Sequence, residues 1–393
     1  MSVILLAWQA IALADEVSLE ALREQVAGSK TAGLLFFTQP QRASAFKHIR
    51  DLYPTRVIKA GTSPYPLADH PADFSAMTYE FDGSRLSLDS FLSLSDETGT
   101  PYNKGLIVIK NGDVQFEHYA PGHDRDTRWI SFSVTKSVTT LLIGAAIRDG
   151  YIQSVDEPVA NYLPRLRGTA YETSTIKDVL QMASGVSWNE DYSDPGSDVA
   201  RAGGLIGLPL VNYLAHLPRK FPSGEKFNYN TGETNLAGEI LRAAIGNNAS
   251  TYLSHKIWQP FGMGDDAYWV LGEAGGGETG GCCINATLRD YARIGIFAMH
   301  DGRLRDGTPV LPDGWMQAST TPSGSEQGYG YLWWLHGNGD YSAMGIFEQQ
   351  ITISPESGVV IAIHSNAPSA VGSLYGRHLE ALTPALVNFA AGL

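Results

Sequence analysis

A chain of 393 residues with 43% hydrophobic content can bury a large core, as one domain or two closely built lobes, which excludes a disordered chain. A net charge of −13 with no run of Lys or Arg argues against a nucleic-acid partner and favours a small neutral or cationic ligand. The two cysteines, Cys282 and Cys283, are neighbours, so they cannot staple distant parts of the fold, a bridge between them is strained, and the redox compartment stays open.

Residues 3–14 are mostly apolar and end in Ala12-Leu13-Ala14 before Asp15, the small-x-small form of a signal-peptidase site. Residues 1–14 are therefore expected to be a signal peptide and the protein periplasmic or secreted. No Lys or Arg precedes the stretch, which keeps a cytoplasmic location as the alternative. No other segment approaches the continuous apolar run of about 18 residues that spans a membrane.

A short helix is expected over 17–26. It opens an N-terminal extension, residues 15–95, whose stretch 30–95 is punctuated by Pro and Gly and wraps the core. Residues 106–119 form two β-rich runs around Asn111-Gly112, which is a hairpin. An extended run from Arg128 to Phe132 then leads into a helix from Ser133, with Val138, Leu141, Leu142, Ala145 and Ala146 in one apolar stripe. The helix stops at Asp149-Gly150, where glycine supplies a cap. Helical segments at 176–183, 237–245 and 250–258, joined by loops rich in Gly, Pro and Asp, predict a mostly helical lobe over 151–285. Strands follow at 330–335, 348–353 and 358–365, then a last helix over 369–391. An early hairpin and late strands sharing one sheet predict an α+β fold. Its antiparallel sheet, flanked by helices, comes from 96–150 and 286–393, with the helical lobe inserted.

Ser-x-x-Lys occurs four times, at Ser44/Lys47, Ser133/Lys136, Ser174/Lys177 and Ser223/Lys226. Only Ser133 has an apolar helix behind it. At a helix start, free backbone N–H groups and the positive dipole end favour an oxyanion, and Lys136 at i+3, partly desolvated, can lose its proton near neutral pH. Ser174 sits beside a Thr175-x-x-Asp178 capping box, Ser223 in a Pro-Ser-Gly turn, and Ser44 in a basic irregular segment.

With these residues the sequence resembles the serine β-lactamase and penicillin-binding-protein superfamily over roughly residues 100–390. The nearest branch holds class C β-lactamases, family VIII esterases, D-amino-peptide hydrolases and 6-aminohexanoate-dimer hydrolase. The resemblance implies that Ser133 is the acylated nucleophile, Lys136 its proton partner, and Tyr229, after Phe221-Pro222-Ser223-Gly224, the second proton-transfer group. A phenol near an ammonium is expected to have a lowered pKa. The class C Tyr-x-Asn form is Tyr229-Asn230-Thr231 here, which weakens amide recognition of a β-lactam. The Lys/His-Thr-Gly-like strand should lie within residues 344–350, where no Lys or His occurs; Phe347, Glu348, Gln349 and Gln350 are the substrate-binding candidates. Glu348 would repel a carboxylate, while a backbone N–H near Gln349 or Gln350 could complete the oxyanion hole. Tyr192, in Asn189–Pro195, is either a lid over the scissile bond or part of a solvated acidic loop. Arg289 and Asp290 are read as structural, in an ion pair or helix cap.

The function expected is hydrolysis of a small ester or linear amide through a Ser133 acyl-enzyme, with no metal or organic cofactor. The alternatives are β-lactamase or D-Ala carboxypeptidase activity, or a catalytically silent binding or sensor relative. The oligomeric state is not legible.

Overall fold

The structure, a computed structural model, describes residues 17–393; the predicted signal peptide lies outside the described residues. In chain order the strands are β1 (Thr55–Ile58), β2 (Thr78–Phe81), β3 (Ser84–Ser87), β4 (Asn103–Lys110), β5 (Asp113–Tyr119), β6 (Trp129–Ile130), β7 (Ala267–Val270), β8 (Ile284–Ala286), β9 (Trp334–Leu335), β10 (Tyr341–Gly345), β11 (Gln349–Ser354) and β12 (Val359–Ser365). Six of them form the main antiparallel sheet in the order β5-β4-β12-β11-β10-β9, so an early hairpin and the C-terminal strands share one sheet.

Side-chain alternation divides the core between the faces of that sheet. In β4, Ile107 and Ile109 join one cluster and Leu106 and Val108 the other; in β12, Val360 and Ala362 face one way and Val359, Ile361 and Ile363 the other. Strands buried on both faces read as continuous apolar runs, as these do. Helices Val134–Arg148 and Leu288–Met299 cover one face and helix Leu374–Ala391 the other. At the β4–β5 turn, Asn111 and Gly112 take φ of 50° and 92°, the left-handed pair a two-residue hairpin requires.

Several elements differ from expectation. The stretch 30–95 carries short helices and β1–β3; β1 pairs with β7 at the edge of a small sheet ordered β1-β7-β8-β6. Strand β7 lies inside the range read as the helical lobe, and β8 straddles its end. Only Trp334–Leu335 of the 330–335 run is a strand, because Leu332 turns to φ 60° and its carbonyl accepts from Ser137. The lobe helix at 237–245 starts earlier, at Thr231, where the Asn230 side chain caps Glu233 N–H at 3.0 Å. The helix expected over 176–183 ends at Leu180, since Met182 has φ 52°. The Leu208–Ala215 helix was not anticipated. The last helix starts at Leu374, after a Ser373 cap.

Helix Val134–Arg148 carries more than one apolar stripe: every residue from Val134 to Ala146 is buried. It runs between the main sheet and helix Thr231–Ile245, and its small polar residues find backbone partners, as Thr139 does with Gly280 O at 2.6 Å. Arg289 pairs with Glu117 at 2.7 Å and with Asp69, whereas Asp290 pairs with Arg293 at 2.7 Å and accepts the N–H groups of Gly264 and Asp265. They are structural as expected, but not partners of each other. Among the described residues, no helix is long and apolar enough to cross a membrane.

Candidate active site

Ser133 stands at the cap of helix Val134–Arg148, delivered there by β6 and a turn at Phe132, which takes φ 43°. Among the described residues no acceptor engages the Ser133 N–H. Lys136, one turn on, is 1% exposed, and its ammonium donates to Ser133 Oγ at 3.0 Å, Thr231 Oγ1 at 3.1 Å and Gly281 O at 2.9 Å. All three N–H groups are thereby aimed, one of them at the nucleophile. Gly281 is held in turn by Asn235, and the next residues, Cys282 and Cys283, are joined in a disulfide.

Burial lowers the Lys136 pKa to about 8, with the charge of Glu190 pulling the other way. A fraction of roughly one-tenth is then neutral at pH 7 and able to take a proton. Tyr229 lines the same cleft as Ser133, stacks on Trp334 at 5.7 Å, and places its ring 5.3 Å from the Lys136 ammonium. Its pKa moves opposite to the expectation. Burial and the Glu190 charge raise it, and the nearby Ser133 hydroxyl only partly offsets them. Tyr229 is therefore a neutral phenol at pH 7, a donor and relay rather than a phenolate.

Glu190 was not singled out in the sequence, yet it organises one wall of the site. Its carboxylate accepts from Thr231 N–H at 3.0 Å and Tyr192 OH at 2.8 Å, and also from the Thr231 hydroxyl and the Trp188 indole. Four donors leave it little capacity as a base; it is an anchor. A continuous path runs from Ser133 Oγ through Lys136 and Thr231 to Glu190 and on to Tyr192. Thr231 fills the place of the expected asparagine, and Asn230 turns away to cap its helix.

Strand β10 forms the opposite wall. A side chain on Gly345 would collide with Ser131 O and sit 3.0 Å from Ser133 N, so only glycine lets the strand pass this close to the nucleophile. Ile346 follows as the first residue of a 3-10 turn, where an N–H has no intrahelical acceptor. Ile346 lines the cleft together with Ser133, whereas Gln349 and Gln350 lie beyond the turn in β11.

The four candidates after it separate. Phe347 and Glu348 both adopt left-handed backbone, φ 58° and 66°, which breaks the strand alternation. Phe347 turns into the core, packed on Phe46 and Phe132 with the Arg42 guanidinium 4.6 Å over its ring. Gln349 is buried and binds Ser365 N and O at 3.0 and 2.7 Å. Gln350 lines a neighbouring cavity. Only Glu348 reaches the cleft at Ser133, a space of about 480 Å³ that Tyr192, Tyr229, Trp334 and Glu380 also line. Burial and the nearby Glu380 raise the Glu348 pKa to about 7. The other Ser-x-x-Lys serines lie elsewhere: Ser174 and Ser223 bond to each other at 3.1 Å, and Ser44 is buried.

The sequence profile of the family described as Beta-lactamase matches residues 104–383. A 6-aminohexanoate-dimer hydrolase of Paenarthrobacter ureafaciens is 28% identical over 356 residues, 84% of this chain and 86% of that protein. Among solved structures, a Bacillus anthracis protein provisionally assigned as a 6-aminohexanoate-dimer hydrolase superposes with a TM-score of 0.75 at 20% identity, covering 88% of this chain and 93% of that one. A family VIII carboxylesterase superposes at 0.53 with 15% identity, over 72% of this chain and 92% of its own.

Proposed function

The chain belongs to the β-lactamase family, and from that premise we propose that it is a serine hydrolase cleaving a small ester or linear amide through an acyl-enzyme on Ser133. The observation that carries the reading is the buried Lys136 ammonium 3.0 Å from Ser133 Oγ, its pKa brought down to about 8. In the neutral form Lys136 takes the Ser133 proton as Oγ attacks the carbonyl carbon. The Ser133 and Ile346 N–H groups stabilise the oxyanion, a contribution worth about 2.7–4 kcal/mol per donor in comparable sites. Tyr229, protonated and in reach of Ser133, passes a proton to the leaving oxygen or nitrogen. Water then attacks the acyl carbon, its proton returns through the same groups, and the acid leaves with Ser133 restored.

The choice of ester or linear amide over a β-lactam rests on the cleft wall, where the place of a carboxylate-binding cation is taken by Met344, Gly345 and Ile346, with Glu348 beyond. The relatives named as dimer hydrolase and carboxylesterase support the same choice. The test is one preparation assayed on short p-nitrophenyl esters, an aminohexanoate dimer and nitrocefin. Turnover of an ester or the dimer with nitrocefin at background is expected; rapid nitrocefin hydrolysis would overturn the substrate argument.

A further inference from the structure

Cys282 and Cys283 take no part in acyl transfer, yet their segment is bonded to both halves of the catalytic pair. Just before them, the Gly281 carbonyl accepts from the Lys136 ammonium at 2.9 Å. On their other side the Cys283 N–H donates to Phe132 O at 3.3 Å, and Ile284 O accepts from Ser131 N–H at 2.8 Å, which extends the β6–β8 pairing up to Ser133. The Ile284 N–H in turn donates to Thr135 Oγ1 at 3.0 Å, in the first turn of the helix that carries Lys136. A shift of residues 281–284 therefore reaches the nucleophile and its proton partner together.

The bridge within this segment is of the reducible kind. A peptide bond holds neighbouring Cα atoms about 3.8 Å apart, closer than the roughly 4.4–6.8 Å of ordinary disulfides, and bridges constrained in this way are the labile ones. Cys283 also holds a left-handed backbone, φ 84°, which a side chain disfavours and which opening the bridge leaves free to relax. Cys283 is wholly buried, whereas Cys282 is half-buried and lines a small cavity of about 40 Å³ with Ser133, Thr231 and Ile346. Cys282 is thus the member of the pair open to a reagent that enters beside the nucleophile.

We propose that Cys282–Cys283 is a reversible thiol–disulfide site, taking a dithiol as its reductant, whose closed form holds Gly281 and Phe132 in place for acylation of Ser133. The inference rests on the serine-hydrolase reading for its effect on rate; the thiol chemistry and its structural reach do not depend on turnover. A thiolate of the dithiol attacks Cys282 Sγ, the S–S bond breaks, and its electron pair leaves on Cys283 Sγ, which takes a proton. The reagent's second thiolate then attacks the reagent sulfur of the mixed disulfide and releases Cys282, which takes another proton. The protein gains two electrons and two protons, and the dithiol closes to its own disulfide. In the open form the Cys283 backbone relaxes, its N–H leaves Phe132 O, the Gly281 carbonyl draws away from Lys136, and acylation slows.

The test starts from oxidised protein treated with dithiothreitol under native conditions. Intact mass after N-ethylmaleimide should show two added maleimides, and none on untreated protein. Without the maleimide, fluorophosphonate labelling of Ser133 at neutral pH should be slower by at least about threefold in the reduced protein, the worth of one hydrogen bond, and should recover on reoxidation. Cys282→Ser and Cys283→Ser should each label at the slow rate with or without reductant; the wild-type comparison stands even where a variant misfolds. Hydrogen exchange read by mass spectrometry follows the coupling without turnover: amides of residues 129–136 should exchange faster in the reduced protein while its circular dichroism is unchanged. Folded protein that gains no maleimide, equal labelling rates in the two states, or exchange at 129–136 indifferent to redox state would each overturn the proposal. Global unfolding on reduction would make the bridge a plain structural staple and overturn it as well. Absence of labelling in both states would count against the hydrolase reading instead, and hydrogen exchange would still decide the site.

Discussion

Replacing Glu190 with Gln removes the one negative charge that opposes the lowering of the Lys136 pKa, and its effect can be worked from the geometry. Lys136 and Glu190 are bridged by Thr231 Oγ1, 3.1 Å from the ammonium and bonded to the carboxylate. An opposite charge at that range shifts a pKa by roughly one unit or more. The wild-type Lys136 pKa is about 8, and in Glu190→Gln it should fall to about 7 or below. The reactive form is the neutral amine. At pH 6.5 its share would rise from about 3% to about 25%, so acylation should be about eightfold faster in the variant, and the two rates should converge above about pH 9. The assay is the rate of fluorophosphonate labelling followed by intact mass from pH 6 to 10. The alkaline plateau reports separately any disturbance of Thr231. A wild-type profile inflecting near the ordinary lysine value, or a variant profile displaced to higher pH, would refute the assignment of Lys136 as base.

Tyr229→Phe keeps the stack on Trp334 and removes only the hydroxyl; kcat should fall by about 10²–10⁴ with the thermal midpoint little changed, and steady-state kinetics beside calorimetry would show it. Gly345→Ala drives a methyl against Ser131 O and towards Ser133 N, so kcat on a short ester should drop by about 10² or more as the oxyanion donors are displaced, read against circular dichroism to establish folding.

What could be read ahead of the fold was local in the chain. Ser133 and Lys136 are three residues apart on one helix, so their contact follows from helical spacing, and the Asn111-Gly112 hairpin follows from its turn chemistry. Glu190 was missed because its partner Thr231 is 41 residues away and Thr231 meets Lys136 across 95. No local pattern encodes that bridge. The stretch 344–350 misled for a different reason: the left-handed pair Phe347 and Glu348 interrupts the period-2 alternation, sending the phenylalanine to the core and the glutamate to the cleft. The pKa direction of Tyr229 failed because proximity to an ammonium was weighed and burial was not. Strands β1–β3 and β6–β8 run only two to four residues, too short for periodicity to register.

The central claim is that Ser133 is an activated nucleophile, and intact mass after a fluorophosphonate probe tests it most directly, with Ser133→Ala beside wild type. A single adduct on the wild-type protein that vanishes in the variant is the predicted result. No adduct on folded wild type at neutral and mildly alkaline pH, or an adduct that survives the substitution, would contradict it.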